Sequence, residues 1–494
     1  MATSSNEIVR IFSRAAVEAP FFRTNECADS ERRLLLISYF FSPINVVGSL
    51  RWDAMAKYIA RHGWALDVVM VDPTKGSSVD PASVTSIDAG RLAALPAGTT
   101  LYALPDRVSW TLATQRRLWK MVRPLVRGSS DGRAHEVTGD VPTAEGTRGK
   151  FLTGLMARQH YRQLMRWAHD AAHTGVAVAR RQKPDVIVSS GPPHSAHEAA
   201  RIVSLRTGVP WIMDMRDPWS SPENMPRVLA GPTWVRLTRR YESRCVEQAC
   251  RVVANTEPAR LDLCVRYPSL AAKFATVLNG ADPLDIPDAV APRPNRFTIR
   301  YAGNIYFGRD PGPLLEAVAR VARDLELSPD AIGVEFLGGG DLARTSIAAA
   351  AAQTGSSAFV TSLPARPRNE ALEFLAGATM LVALPQYARL AIPAKVFEYV
   401  QFKAWLLVLA DRDSATELLF RESGADLVEP NDVSGIAARI RCRYEQFRAG
   451  VRPNPLNADG RFDRSRQAEA MLRLLDVCSS PQAASMNRPT RASA

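Results

Sequence analysis

The patterned part of the chain begins with an unbroken apolar run. Leu34, Leu35, Leu36 and Ile37 stand between Arg33 and Ser38, which predicts a strand over 33–38 covered on both faces. The period then changes. Leu50, Ala54, Tyr58 and Ile59 repeat at helical spacing, and Gly63 stops the helix begun near Ser49. Residues 66–71 return to a strand pattern. A strand, a helix and a strand in that order predict a parallel sheet.

The alternation continues. Strands are expected at 185–189, 210–215, 252–254 and 274–278, with a helix over 194–207 and a long helical stretch over 151–182. A Pro-rich stretch, 282–297, reads as a linker. After it the rhythm restarts, with strands at 297–301, 334–337, 359–360, 380–384 and 406–410, and helices between them. The expected fold class is α/β, with two Rossmann-like parallel-sheet domains. The first is expected over 32–285, with a basic helical insertion about 107–182, and the second over 286–461. A final helix at 462–478 is assigned to the first domain. Residues 1–31 and 479–494 are polar and aperiodic, and are expected to be disordered.

The length of 494 residues suits more than one core, and 46% hydrophobic with 23% charged residues is ordinary for a globular protein. The charge changes the picture. Sixty-two Lys and Arg against fifty Asp and Glu leave +12, which points to an anionic partner. No segment approaches the ~18 apolar residues of a membrane span, and residues 1–33 lack a signal peptide's apolar core. Six cysteines without C-x-x-C spacing suggest neither a zinc site nor a thioredoxin-like pair, and they fit a reducing compartment. The expected location is cytoplasmic. Residues 107–128 carry six basic side chains, Trp110 and Trp119, and no acid. Two readings of them stand side by side: a solvated helix, or a piece that lies on an anionic membrane and makes the protein peripheral at its inner face. No recognition motif accompanies the charge, so no nucleic-acid partner is expected.

Ligands of open parallel sheets bind beyond the carboxyl ends of the strands. Five clusters follow strands in this way. Gly48 lets backbone approach a ligand at a helix start, and Arg51 adds a positive charge there. His194, held by Gly191-Pro-Pro, is favoured over His197 as a partner for a sugar hydroxyl or phosphate. Asp217 offers a carboxylate to an acceptor hydroxyl, or pairs with Arg216 as an ion bridge. Gly303 and Asn304 form a polar turn, and Arg309 reaches toward a diphosphate. Lys395 and Glu398 share a helical face behind Pro393, where the amine suits a phosphate and the carboxylate a ribose. An i,i+3 surface salt bridge is the plainer reading of that pair. Asp411-Arg-Asp413 reads as a solvated loop, and no metal is expected.

In their order, LLISYFFSPINVVGSLRW, KPDVIVSSGPPHSAH, WIMDMRDPW, IRYAGNIYFGRDP, VEFLGGGD and IPAKVFEY resemble glycosyltransferase family 4, over about residues 32–478. The resemblance implies a GT-B fold, two Rossmann-like domains facing a cleft, with a nucleotide-diphosphate sugar as donor substrate and no other cofactor. It implies that Gly48 lies near the donor, His194 near the transferred sugar, Lys395 and Arg309 on the diphosphate, Gly303 in the phosphate pocket and Glu398 on the ribose. It also implies retention of anomeric configuration and a role in surface polysaccharide or glycolipid synthesis, on an unidentified acceptor such as a lipid-linked saccharide. One position departs from the family pattern. A second glutamate is usual eight residues before the ribose-binding one, and here Leu390 stands there. The rival readings are a non-hydrolysing nucleotide-sugar epimerase of the same fold and a non-catalytic nucleotide-sugar-binding protein. A nucleotide-cofactor dehydrogenase is set aside, because 38–51 has no G-x-G-x-x-G.

Overall fold

A computed structural model of the chain describes residues 19–24, 31–44, 46–75, 88–106, 147–220, 231–282, 295–305 and 309–480. The basic segment 107–128 and most of the Pro-rich linker lie outside the described residues. The chain divides into two units. One comprises Met1–Asn255, Arg260–Val277 and Ala468–Ala494, the other Thr256–Ala259 and Leu278–Gln467.

The first unit is built on an eight-stranded sheet. Its strands are β1 (Phe22–Arg23), β2 (Arg32–Ser38), β3 (Trp64–Val71), β4 (Thr99–Leu104), β5 (Val186–Gly191), β6 (Trp211–Met215), β7 (Arg251–Ala254) and β8 (Phe274–Thr276). They lie in the order β1-β4-β3-β2-β5-β6-β7-β8. Only β1 is antiparallel, pairing Phe22 with Leu101 and Arg23 with Thr100. That edge strand falls inside the stretch 1–31 expected to be disordered. A long helix over Thr147–Gln182, between β4 and β5, packs against the helix Ser195–Thr207 and part of this sheet. The apolar run behaves as its pattern requires: Leu34 to Ile37 are fully buried, because a parallel sheet is covered on both faces.

Two readings of the first unit need correcting. No strand is expected from the sequence between 72 and 107, yet β4 occupies Thr99–Leu104. Its Thr-rich run lacks the apolar continuity of β2, and its place is set by its pairing with β3. The helix Val47–Arg61 buries Ala54 and Ile59 of its expected face, but Leu50 is 38% exposed, and Arg51, Trp52 and Met55 are buried beside them.

The second unit has a six-stranded, all-parallel sheet. Its strands are β9 (Phe297–Ala302), β10 (Ile332–Leu337), β11 (Val360–Leu363), β12 (Met380–Ala383), β13 (Trp405–Leu409) and β14 (Asp426–Val428), ordered β11-β10-β9-β12-β13-β14. Side chains alternate between two cores. Met380 and Val382 join Phe297, Ile299, Leu314 and Val318 on one face. Leu381 and Ala383 join Val396, Phe397 and Leu406 on the other. Each such fully buried apolar side chain contributes roughly 1.5–3 kcal/mol. The last helix, Arg464–Ser479, begins in this unit and passes into the first after Gln467.

Arg51 also departs from its expected role at a ligand. Its Nε and Nη2 donate to both Asp214 carboxylate oxygens, at 3.0 and 2.9 Å, and Nη2 also donates to the Val277 carbonyl at 3.0 Å. Trp52 Nε1 donates to the same carboxylate at 2.7 Å. The whole arrangement is buried. It ties the first turn of the helix Val47–Arg61 to the end of β6. The Nε and Nη2 donors of the guanidinium are thus held within the fold. Asp214→Ala leaves that charge buried and unpaired, so it is expected to cost about 3–5 kcal/mol. Eight of the nine tryptophans belong to the first unit, so tryptophan fluorescence in a urea titration reads its unfolding. A loss below about 1 kcal/mol would show that the pair does not hold this corner.

Candidate functional site

Each sheet reverses its strand order once, between β2 and β5 in the first unit and between β9 and β12 in the second. At such a point the loops leave toward opposite faces and open a crevice beyond the carboxyl ends. The candidate residues gather at these two places.

In the first unit, His194 follows β5 and caps the helix Ser195–Thr207. Its ring stacks on Trp219, with centroids 5.1 Å apart and planes at 15°. His197 enters the same place, 5.4 Å from the His194 ring. Its Nδ1 lies 2.8 Å from Ser189 Oγ, which accepts from Trp211 Nε1 at 2.8 Å. The other side of the pair is unanswered. Among the described residues, His197 Nε2 and His194 Nδ1 are buried without a hydrogen-bond partner, as are Ser190 Oγ and Ser195 Oγ. Both ring nitrogens stand over Gly191, where a methyl group would meet them at 2.7 and 2.9 Å. Leaving a buried polar atom unpaired costs about 1–3 kcal/mol, so this cluster suits a polar ligand.

Burial keeps both imidazoles neutral. It pulls His194 well below its usual range, with His197 and Arg216 adding repulsion. It pulls His197 down to about 3, against the opposing pull of Asp214. Gly48 lies in the first turn of its helix and backs onto the Arg216 guanidinium. Arg216 donates to the Pro192 carbonyl, while its Nε has no partner. Asp217 makes no ion bridge with Arg216 among the described residues. Its carboxyl is pushed up by burial, although Arg216 and Arg51 pull the other way.

In the second unit, β9 ends at Gly303, whose φ of +112° is open to glycine. A side chain there would also meet Lys395 Nζ at 2.7 Å. Lys395 donates to Tyr301 Oη at 2.8 Å and to the Ala302 carbonyl at 3.0 Å. Tyr301 in turn donates to the Asn304 carbonyl at 3.0 Å. Asn304 Oδ1 accepts from Gly339 N at 3.1 Å, which links the turns after β9 and β10. Burial pulls the Lys395 amine down to about 7, with Arg309 nearby lowering it further and Glu398 opposing. Lys395 and Glu398 therefore do not form the plain i,i+3 bridge. Glu398 accepts instead from Arg368 at 2.9 Å, and Arg368 is exposed. An exposed pair of that kind is worth ~0–1 kcal/mol, so a ligand can displace it.

Arg309 is positioned indirectly. Asp310 N donates to Gln386 Oε1 at 2.7 Å, and Gln386 Nε2 returns a bond to the Asp310 carbonyl at 2.9 Å. Leu390 is buried, and its carbonyl accepts from Thr256 Oγ1 at 2.6 Å. Asp411 accepts from Tyr387 N, and Asp413 from Arg421. No group of His, Cys, Asp and Glu among the described residues is arranged to hold a metal. No helix among them is long and apolar enough to cross a membrane.

Several residues here escape a reading of motifs. Tyr301 is read as the last residue of a strand, and Gln386 as a loop residue. Ser190 and Ser195 flank the Gly-Pro-Pro turn and carry no signal of their own. His197 looks like a helix residue, and only its spacing of three from His194 places both rings on one side of the turn.

The Lys395 amine titrates near 7 when folded and near 10.5 when unfolded. The unfolded chain thus binds more protons between those values, and stability rises with pH across that window. Wild type is expected to gain in urea midpoint over Lys395→Met as pH rises from about 7 to about 10. A constant gap over that range would mean that the buried amine is charged throughout.

Searched by sequence, the chain matches no protein-family model and no curated protein. Solved structures do resemble it. Sucrose-phosphate synthase from Thermosynechococcus elongatus has a TM-score of 0.58 at 14% identity, covering 90% of this chain and 99% of that one. α,α-Trehalose 6-phosphate synthase from Burkholderia multivorans gives 0.53 at 14%, over 94% and 100%. Anabaena HepE, solved in complex with UDP-glucose, gives 0.51 at 12%, over 90% and 99%. Identities this low speak to architecture alone, and on that the neighbours agree: the chain has the GT-B fold, with two Rossmann-like parallel-sheet units.

Proposed function

We propose that this chain is a glycosyltransferase that moves a sugar from a nucleotide-diphosphate donor to an acceptor. The observation that carries the reading is Lys395, whose amine is buried against Gly303 at the strand-order reversal of the second unit. It stands near Arg309, with the displaceable Glu398 one turn further along the same helix. An amine with its basicity lowered by burial and a neighbouring cation is a poor fit to an empty core. It is a good fit to a dianion, which restores its charge. As the sugar–oxygen bond breaks, charge grows on the departing diphosphate, and Lys395 and Arg309 stabilise it where it develops. Glu398 holds the ribose hydroxyls. In the first unit His194 and His197 offer neutral ring nitrogens to sugar hydroxyls, and Asp217 accepts from the incoming hydroxyl.

The finer assignments belong to the same proposal. They are membership of glycosyltransferase family 4, retention of configuration, and work in surface polysaccharide or glycolipid synthesis. Their support is the order of motifs along the chain. A non-catalytic nucleotide-sugar-binding protein is the second reading. Leu390 favours it, since an apolar side chain stands where the family usually places an acid toward the transferred sugar.

A screen of nucleotide-diphosphate sugars by calorimetry tests the reading. One donor is expected to bind saturably and to be slowly hydrolysed. Lys395→Ala and Glu398→Ala are each expected to weaken it by about tenfold to a hundredfold, the range for lost charge-assisted hydrogen bonds. Affinity is expected to fall as pH rises above about 7, and Lys395→Arg to flatten that slope. Tight binding without turnover in the presence of any acceptor would favour the binding protein. Absence of binding up to millimolar donor would end both readings.

A further inference from the structure

Cys250 and Cys478 lie 228 positions apart in the chain, yet their Sγ atoms are 2.7 Å apart. Both belong to the first unit. Cys250 sits in the turn that enters β7, where its N–H donates to the Trp211 carbonyl at 2.8 Å. Cys478 lies at the end of the last helix and is fully buried. Two thiols that do not interact stay near van der Waals distance, so this separation is already well inside a neutral packing contact. Cysteine spacing along the chain carries no hint of the pair.

We propose that Cys250 and Cys478 form a reversible disulfide that staples the last helix to the first unit. The surroundings divide the labour between the two sulfurs. Cys250 is half-buried and so can be reached, whereas Cys478 cannot. Arg251 adjoins Cys250 in sequence, and Lys273 anchors nearby through the Glu247 carbonyl at 2.7 Å. The hydrogen bond shared with Cys478 holds Cys250 below the usual thiol range, while burial opposes and Arg251 and Lys273 assist. Cys478 is pushed up by the same contact and by burial. A reachable thiolate beside cations is the reactive member of such a pair, and Cys478 is the resolving thiol.

The oxidant is a small-molecule disulfide of the glutathione type. Cys250 Sγ, as thiolate, attacks one of its sulfurs. The reagent's S–S bond breaks, and one thiolate leaves and takes up a proton. Cys478 then releases its proton, and its sulfur attacks Cys250 Sγ, expelling the second thiolate, which is protonated in turn. Two protein thiols give up two electrons and two protons, and the reagent leaves as two thiols. The covalent ring so closed contains 251–477 and hence all of the second unit's Leu278–Gln467. Every passage of the chain between the units lies inside it.

The experiment equilibrates the full-length protein in glutathione buffers from reducing to oxidising, followed by intact mass, thiol titration and non-reducing peptide mapping. In oxidising buffer, wild type is expected to lose two hydrogens in mass and two of its six titratable thiols. A peptide containing Cys250 is expected to be bridged to the one containing Cys478. Cys478→Ala is expected to stop at a glutathione adduct on Cys250, and Cys250→Ala to give neither product. Hydrogen exchange over 468–479 is expected to slow in the bridged form. Six free thiols surviving in oxidised glutathione, an adduct on Cys250 that persists in wild type, or a bridge to another cysteine would each overturn the proposal. The wild-type measurements stand even where a variant fails to fold.

Discussion

A parallel sheet covered on both faces leaves almost no side chain along its length free for chemistry. In the second unit the apolar residues of the inner strands go alternately to one core or the other, as Met380 and Val382 part from Leu381 and Ala383. In the first, Leu34 to Ile37 are all buried. Polar function is therefore confined to the carboxyl edges, and within those edges to the point where the strand order reverses. Both units obey this constraint. Gly48 and His194 stand at the starts of the helices that follow β2 and β5, Gly303 follows β9, and Lys395 stands at the start of the helix that follows β12.

Burial at those edges then decides the chemistry of each group. A histidine pair in solvent would titrate near neutrality, whereas burial, with Arg216 adding repulsion, holds His194 and His197 neutral. Lys395 is brought to about 7 by the same effect, and Arg309 works in the same direction. Such groups are costly to keep in an empty protein. Their orphaned nitrogens and depressed basicity are the local strain that a polyhydroxylated, anionic ligand relieves. Arg51 shows the opposite outcome. Its charge is answered within the fold by Asp214.

The thiol pair adds a constraint of another kind. The last helix begins in one unit and ends in the other, and its far end is held by packing and by the Asp476 ion pair with Arg32, to which a bond between Cys250 and Cys478 adds a covalent tie. A bridge at that point acts on a contact that brings the two extremes of a 228-residue separation together. It makes the attachment of the helix depend on thiol chemistry.

The sequence by itself determined the doubly covered inner strands, because such a strand is continuously apolar and such runs are visible without a structure. It also determined that Lys395 and Glu398 share a helix face and that His194 stands at a strand end, since both follow from spacing of three or four residues. It did not reveal β4, whose threonines acquire strand geometry from β3, nor the short edge strand β14 beside β13, nor the edge pairing of Phe22 and Arg23. Tertiary structure alone decided that Arg51 faces Asp214, 163 positions away, that Lys395 rests on Tyr301, and that Gln386 holds the turn carrying Arg309. The physical reason is the same in each case. Local pattern encodes which way a residue points on its own element, while the partner it meets comes from a distant element, and only the packed sheet brings the two together.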